Sequence, residues 1–372
     1  MSLLGKIRIP AFVDLHVHFR EPGFAYKETI LSGSRAAMRA GYSDVFTMPN
    51  VSPAPDTLEH LSLQTAIIAR DSLIGVHPYA SITLGQKGEG ELVHIEELAP
   101  LVPGFSDDGR GIQDEGLMRE AMQRIAAVDS IIVEHCEVNS LLRGGYIHEG
   151  LYARTHGHKG ICSESEWREI ERNIRLSEET GCRLHICHIS TKESVELIRE
   201  AKKSAIPVTC ETAPHYLLLN EHMLQESGNW KMNPPIRSVA DQMALIVGIQ
   251  DGTIDVIATD HAPHSEEEKS KGLEKSAFGI VGIETAFPLL YTYLVKPGVI
   301  TMNRLVELMS TRGREIMGLP MEDSWTTLDL DAHYTIDPAQ FVSMGKSTPF
   351  AGWSVYGKCI KTEIRGKVVY EA

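Results

Sequence analysis

No apolar run in the sequence approaches the roughly 18 to 20 residues that span a bilayer, and the opening MSLLGKIRIPAF is too short and too broken for a secretory leader. Basic residues are in deficit, 36 against 50 acidic, so the chain carries a formal charge of −14 and repels phosphate backbones and anionic lipid alike. Nucleic-acid and membrane partners are therefore not expected, and the expected location is the cytoplasm. The six cysteines (Cys136, Cys162, Cys182, Cys187, Cys210 and Cys359) form no CxxC pair and no disulfide-framework spacing, and they read as reduced thiols. There is no Walker A motif, no GxGxxG after a strand and no GxSxG elbow, so signatures of phosphate-cradling loops and activated serines are missing. Internal repeats and low-complexity segments are absent as well.

Histidine, by contrast, is plentiful, 16 among 372 residues, and several lie within or directly after short apolar runs. Eight runs have strand length: 9–18, 44–50, 74–83, 104–109, 130–137, 183–190, 207–215 and 255–264. Segments 27–41, 114–128, 166–180 and 191–205 place apolar residues at three- and four-residue steps, which predicts amphipathic helices between them. Such alternation implies parallel strands with helical crossovers, and eight units over about 250 residues fit a (β/α)8 TIM-like barrel better than a doubly wound open sheet. The predicted barrel covers 10–318, and residues 1–9 with 319–372 are assigned to a small, reduced β appendage formed mainly by strand-like segments 326–336 and 359–371. Connections 138–182 and 216–254 are long and are expected to serve as loops or lids over a site.

In a barrel the C-terminal ends of all strands converge on one face, so residues far apart in sequence can share a pocket. His16 and His18, two apart at a strand end, place both imidazoles on one side of the strand. His135 and His188 close two further runs, and Asp108 (or its neighbour Asp107) and Asp260 close two more. Four imidazoles and two carboxylates suit a borderline-soft divalent ion such as zinc, and could hold two. A second His-x-His, His156 and His158, has no strand flanks and reads as a solvated loop pair. His185, three residues before His188, is expected to point away from it in a strand and so to pack or to make a supporting bond. Cys136 and Cys187, adjacent to proposed ligands, are expected to turn to the opposite side as buried small hydrophobes.

Zinc activates water at neutral pH and polarises carbonyl oxygens, so hydrolysis of an amide or ester is the natural chemistry. Amide cleavage also needs a proton delivered to the departing nitrogen; Asp260 is the candidate carrier, a purely structural ligand being the alternative. Arg20, two residues past His18, would favour an anionic substrate if it faces the pocket rather than pairing with Glu21. Asn50 and Asn233 could add amide hydrogen bonds.

The segments DLHVHFREPG, FTMPN, FSDDG, VEHCEVNSL, HICHISTKES, ETAPHYLLL, KMNPPIR, GTIDVIATDHAPH and FGIVGIETAFPLLYT together resemble the bacterial class I dihydroorotases of the amidohydrolase superfamily, from about residue 9 to the C-terminus. The resemblance implies His16 and His18 on one zinc, His135 and His188 on a second, Asp108 bridging, and Asp260 as ligand and proton shuttle. It implies Arg20, Asn50 and His264 on a substrate carboxylate, with Asn233 and the backbone at Phe278 and Gly279 against the ring. The implied reaction interconverts L-dihydroorotate and N-carbamoyl-L-aspartate in pyrimidine biosynthesis, with zinc-activated water attacking the ring amide carbonyl. A homodimer and association with aspartate transcarbamoylase are further expectations of the resemblance. Many superfamily members bridge their metals with a carboxylated lysine; here Asp107-Asp108 stands at that strand end. Ala277 and Phe24 replace a common proline and glycine, and the several dozen residues that relatives carry before the first strand are not present in this sequence. The alternatives are another cyclic amidohydrolase (allantoinase, hydantoinase or dihydropyrimidinase) or a non-catalytic scaffold for the transcarbamoylase, which would be expected to have lost ligands.

Overall fold

The computed structural model describes residues 5–320 and 323–372; residues 1–4, part of the predicted appendage, and 321–322 lie outside the described residues. The chain is α/β. Its strands in order are β1 (Lys6–Pro10), β2 (Phe12–Val17), β3 (Tyr42–Thr47), β4 (Gly75–Pro78), β5 (Ile131–Glu134), β6 (Ile147–His148), β7 (Gly160–Ile161), β8 (Arg183–Ile186), β9 (Val208–Thr212), β10 (Val256–Ile257), β11 (Trp325–Thr335), β12 (Ser354–Ile364) and β13 (Lys367–Glu371).

Parallel pairing runs β2–β3–β4 and β5–β8–β9–β10. Single parallel bridges join these two sheets: Ala80 pairs with Phe105, Phe105 with Ile132, and His261 with Val17. Eight extended segments therefore form a circuit that returns to its start. Val13, Leu15, Phe46, Met48, Tyr79, Ile131, Val133, Cys187 and Val256, drawn from around this circuit, pack into one buried cluster with Ile316. A second apolar layer holds the helices against the outer face.

The four predicted helices form at Ile30–Ala40, Glu115–Ala127, Glu164–Thr180 and Lys192–Lys203. Local chemistry sets their ends. Thr29 and Ser32 make a reciprocal capping box before the first, and Gly41, at φ 98°, closes it in the left-handed conformation that glycine adopts without steric cost.

All eight predicted strands are shorter than expected, and two are reduced to a pair of residues or a single bridge. In 104–109 only Phe105 bridges its neighbours, because beyond Ser106 the chain turns: the Asp108 N–H donates to the Ser106 hydroxyl and the Arg110 N–H to the Asp107 carbonyl. In 255–264 the ladder stops at Ile257, and Thr259 donates from both its N–H and hydroxyl to the Asp14 carboxylate. A side chain thus supplements the backbone bridge of Val17 with His261 where the circuit closes.

A separate antiparallel sheet has the order β1-β11-β12-β13. The predicted strand-like segment 359–371 is two strands, since Arg365 and Gly366 both take positive φ, 49° and 72°, and reverse the chain between β12 and β13. Among the described residues no helix is long and apolar enough to cross a membrane.

Candidate active site

The ends of β2, β5, β8 and β10 and the Phe105 segment bring His16, His18, Asp108, His135, His188 and Asp260 into one buried cluster. Strand alternation alone does not deliver this arrangement. Leu15 faces the apolar interior, yet His16 and His18 reach the cluster, because the β2–β3 register slips by one residue between Asp14 and Val17. His188 and Asp260 follow the ends of their strands with φ of 30° and 47°, a sparsely populated region for residues with a side chain. At β8 this has a consequence for Cys187. The expectation that it points away from the site, and that His185 points away from His188, is corrected: alternation carries His185 and Cys187 inward together, and the left-handed His188 then joins the same side. The ligating atoms of His16, Cys187 and Glu211 lie within 4.8 Å of one another. Cys136 packs in the outer layer, as its alternation with His135 predicts.

The donor atoms form two groups that meet at Asp108. His18 Nε2 lies 3.0 Å and His16 Nε2 3.5 Å from Asp260 Oδ1. Asp108 Oδ1 is 3.5 Å from His16 Nε2, 3.7 Å from His135 Nδ1 and 3.7 Å from His188 Nε2. Nδ1 of His135 and Nε2 of His188 face each other at 3.0 Å. Asp108, the expected bridge, sits among the imidazoles, whereas Asp107 accepts backbone N–H groups from Ile82, Thr83 and Gly88 and the Thr83 hydroxyl.

These atoms fit a cation. His16 Nε2 and Asp108 Oδ1 are buried without a hydrogen-bond partner, an expensive arrangement unless a ligand takes their lone pairs. A tetrahedral ion bound at about 2.0–2.1 Å sets its donors about 3.3 Å apart, close to the separations found here. The electrostatics agree. Burial opposes a charge on His16, yet Asp108, Glu211 and Asp260 raise its pKa to about 10, so this pocket attracts positive charge. Burial likewise opposes charge on Asp108 and Asp260, yet the surrounding imidazoles hold both carboxyls below the usual range.

Supporting bonds fix which imidazole nitrogen is free. Glu211 Oε1 takes the His16 Nδ1 side at 3.0 Å, and Asn50 Oδ1 takes the His18 Nδ1 side at 2.9 Å, leaving each Nε2 lone pair toward the cluster. The other Glu211 oxygen meets His185 Nε2 at 3.2 Å, and His185 Nδ1 meets the Thr209 hydroxyl at 2.8 Å. The supporting bond expected of His185 is thus present, but Glu211 escaped the sequence reading: within VTCET, a strand pattern, only its burial distinguishes it. Asn50 Nδ2 also donates to Asp108 Oδ2 at 3.0 Å, so its amide spans the two ligand groups.

Around the cluster lies a partly cationic rim. Arg20 is buried, and its Nε donates to the Pro263 carbonyl at 3.3 Å. Burial lowers its pKa to about 10, against the pull of Asp260 and Asp108, so it stays charged at neutral pH. Pairing with Glu21 does not occur; the Glu21 carboxylate instead accepts the Ile30 N–H. Arg20 Nη2 is 3.5 Å from His264 Nε2, whose other neighbour is the Phe278 carbonyl at 2.8 Å. Asn233 Nδ2 donates to Glu137 at 2.8 Å and lies 3.4 Å from His135 Nε2. Gly279, at φ 125°, donates its N–H to the Lys231 carbonyl; a Cβ there would meet Ala262 at 2.8 Å. His156 and His158 stay outside the site. His158 is held by Glu226 at 2.8 Å and the Tyr146 hydroxyl at 2.7 Å, and His156 stacks on Tyr152.

The family model described as Dihydro-orotase-like matches residues 5–194. Proteins named dihydroorotase from Shouchella clausii and Geobacillus sp. are 49% and 48% identical to this chain, covering 99% and 100% of it and 88% and 89% of themselves. The chain belongs to the dihydroorotase-like family. A dihydroorotase of Fusobacterium nucleatum is likewise 49% identical over 100% of the chain. Among solved structures, the L-hydantoinase (dihydropyrimidinase) of Arthrobacter aurescens superimposes with a TM-score of 0.86 at 27% identity, covering 100% of this chain and 87% of its own. The D-hydantoinase (dihydropyrimidinase) of a Thermus species, at 24% identity and TM-score 0.84, shares the fold. The dihydroorotase-like match spans the segments carrying His16, His18, Arg20, Asn50, Asp108, His135 and His188.

Proposed function

We propose that this chain catalyses the reversible interconversion of L-dihydroorotate and N-carbamoyl-L-aspartate, a cyclic-amide hydrolase reaction of pyrimidine biosynthesis. The observation that carries the reading is its 48–49% identity to dihydroorotases along 98–100% of its length. The closed circuit of parallel segments is read as a (β/α)8 barrel over 10–318, with the antiparallel sheet as its appendage.

In this reading His16, His18 and Asp260 hold one zinc ion, His135 and His188 a second, and Asp108 lies between them. Bound ions supply Lewis acidity, which makes water nucleophilic at neutral pH and polarises an amide carbonyl. Asp260, kept ionised by its imidazole neighbours, accepts the proton of the attacking water and delivers it to the departing ring nitrogen. Arg20 and His264 hold the ring carboxylate; Asn233 and the backbone at Phe278 and Gly279 meet the rest of the ring. Asn50, read with Arg20 and His264 as a carboxylate contact, already steadies His18 and Asp108 through its amide.

The structural likeness to hydantoinases makes a substrate panel the deciding experiment. The zinc-loaded protein is expected to open L-dihydroorotate, followed by loss of ultraviolet absorbance, at least a hundredfold faster in kcat/KM than hydantoin or dihydrouracil, which lack the carboxylate (about 3 kcal/mol for a charge-assisted contact). Equal or faster turnover of either neutral ring would replace this reading with a hydantoinase one.

A further inference from the structure

His264 faces three charged groups and one carbonyl, and together they dictate which of its nitrogens carries the proton. On one side Nδ1 lies 3.3 Å from Lys27 Nζ and 3.4 Å from Glu268 Oε2. On the other, Nε2 lies 2.8 Å from the Phe278 carbonyl and 3.5 Å from Arg20 Nη2. The Phe278 carbonyl has no freedom to retreat. Lys269, buried beneath it, donates to the carbonyls of Lys231, Ala277 and Gly279 and fixes the backbone on both sides. A 2.8 Å contact between Nε2 and a carbonyl oxygen requires a hydrogen between them, so Nε2 is the protonated nitrogen. A doubly protonated ring is disfavoured: burial first, then Arg20, Lys27 and Lys269, lower the His264 pKa to about 3, against the opposing pull of Glu268. Nδ1 is therefore a bare acceptor, and Lys27 is the group that donates to it. Glu268 holds the lysine in place at 2.8 Å, with the Tyr26 hydroxyl donating to the same carboxylate oxygen at 3.2 Å.

From this geometry we infer that Lys27 is a positioning residue for substrate recognition: by donating to His264 Nδ1 it locks the Nε2–H tautomer, so that the hydrogen held toward the Phe278 carbonyl is shared with a substrate oxygen that Arg20 also contacts, and no imidazole lone pair faces that oxygen. The inference rests on the proposed function, which places the ring carboxylate at Arg20 and His264. With Nε2 protonated, the Arg20 Nη2 only 3.5 Å away finds no acceptor in the imidazole, and an anionic acceptor beside the pair satisfies it. Without the lysine, Nδ1 is free to take the proton and donate to Glu268 Oε2. Nε2 then turns its lone pair toward both the Phe278 carbonyl and the incoming carboxylate. The loss falls on binding more than on turnover, because His264 lies apart from the metal cluster.

The test uses zinc-loaded protein labelled with nitrogen-15 histidine, in which long-range proton–nitrogen correlations report the tautomer of each ring, with His264→Gln assigning the signal. The wild-type protein is expected to show Nε2–H at position 264. Lys27→Met is expected to move the ring largely to Nδ1–H and to raise KM for L-dihydroorotate about tenfold, with kcat changed about threefold or less. Lys27→Gln retains an N–H donor without the charge and is expected to restore both tautomer and KM, which also covers any folding defect in the methionine variant. An unchanged tautomer in Lys27→Met, or a changed tautomer with unchanged KM, overturns the inference. Because the tautomer is read without substrate, a wild-type protein that failed to open dihydroorotate would refute the proposed reaction separately, leaving the lysine–imidazole coupling decided by the spectrum.

Discussion

Replacing Asp260 by Asn is expected to lower kcat for L-dihydroorotate by about a thousand- to ten-thousandfold, the largest single-residue effect in this site. Asparagine matches aspartate in shape and retains an oxygen where Asp260 Oδ1 approaches His18 at 3.0 Å and His16 at 3.5 Å, so the arrangement of donor atoms is kept. It cannot accept a proton from water and return it to nitrogen. The carboxyl it replaces is ionised, since the imidazoles overcome the effect of burial, and an ionised carboxylate starts the cycle ready to accept. Steady-state kinetics together with zinc content by mass spectrometry separate the two roles proposed for Asp260. Turnover is expected to fall far more than metal content. A variant within about tenfold of the wild-type kcat would show that the proton travels by another route.

Arg20→Met is expected to reduce kcat/KM for L-dihydroorotate by about a hundred- to a thousandfold, chiefly through KM, while leaving slow hydrolysis of hydantoin or dihydrouracil little changed. Methionine replaces much of the buried stem of Arg20 and removes only the guanidinium, which faces His264 and is spent on a single backbone carbonyl, that of Pro263. The selectivity of the loss is the informative part. A neutral ring has no carboxylate to miss the guanidinium, so a loss of equal size on every substrate would mean that Arg20 supports the architecture instead of reading charge.

Much of this site is legible in the sequence because the type and local position of its residues suffice. Two histidines at alternate positions on a strand share a side, and polar residues closing several apolar runs converge once parallel strands are assumed. What stayed hidden depends on where the chain departs from regularity or closes on itself. Nothing local in ICHIS announces that His188 takes a positive φ, so strand alternation with His188 alone turns Cys187 away from a site beside which it in fact packs. Glu211 supports His16 from 195 residues away, and Lys27 meets His264 from 237 residues away, pairings that only the tertiary circuit creates. The same limit applies to the fold. Helix boundaries follow from caps such as Thr29 and Gly41, whereas the seam between β2 and the chain after β10 joins Asp14 to Thr259, 245 residues on, and Val17 to His261, pairings that no local apolar pattern shows.

The most direct test of the whole account is a zinc titration of chelator-stripped protein, reading ring opening of L-dihydroorotate against equivalents of metal added. The site as described predicts negligible turnover without metal and activity that climbs to a plateau near two ions per chain, with Asp108→Ala unable to reach it. Full turnover in the stripped protein would contradict it outright.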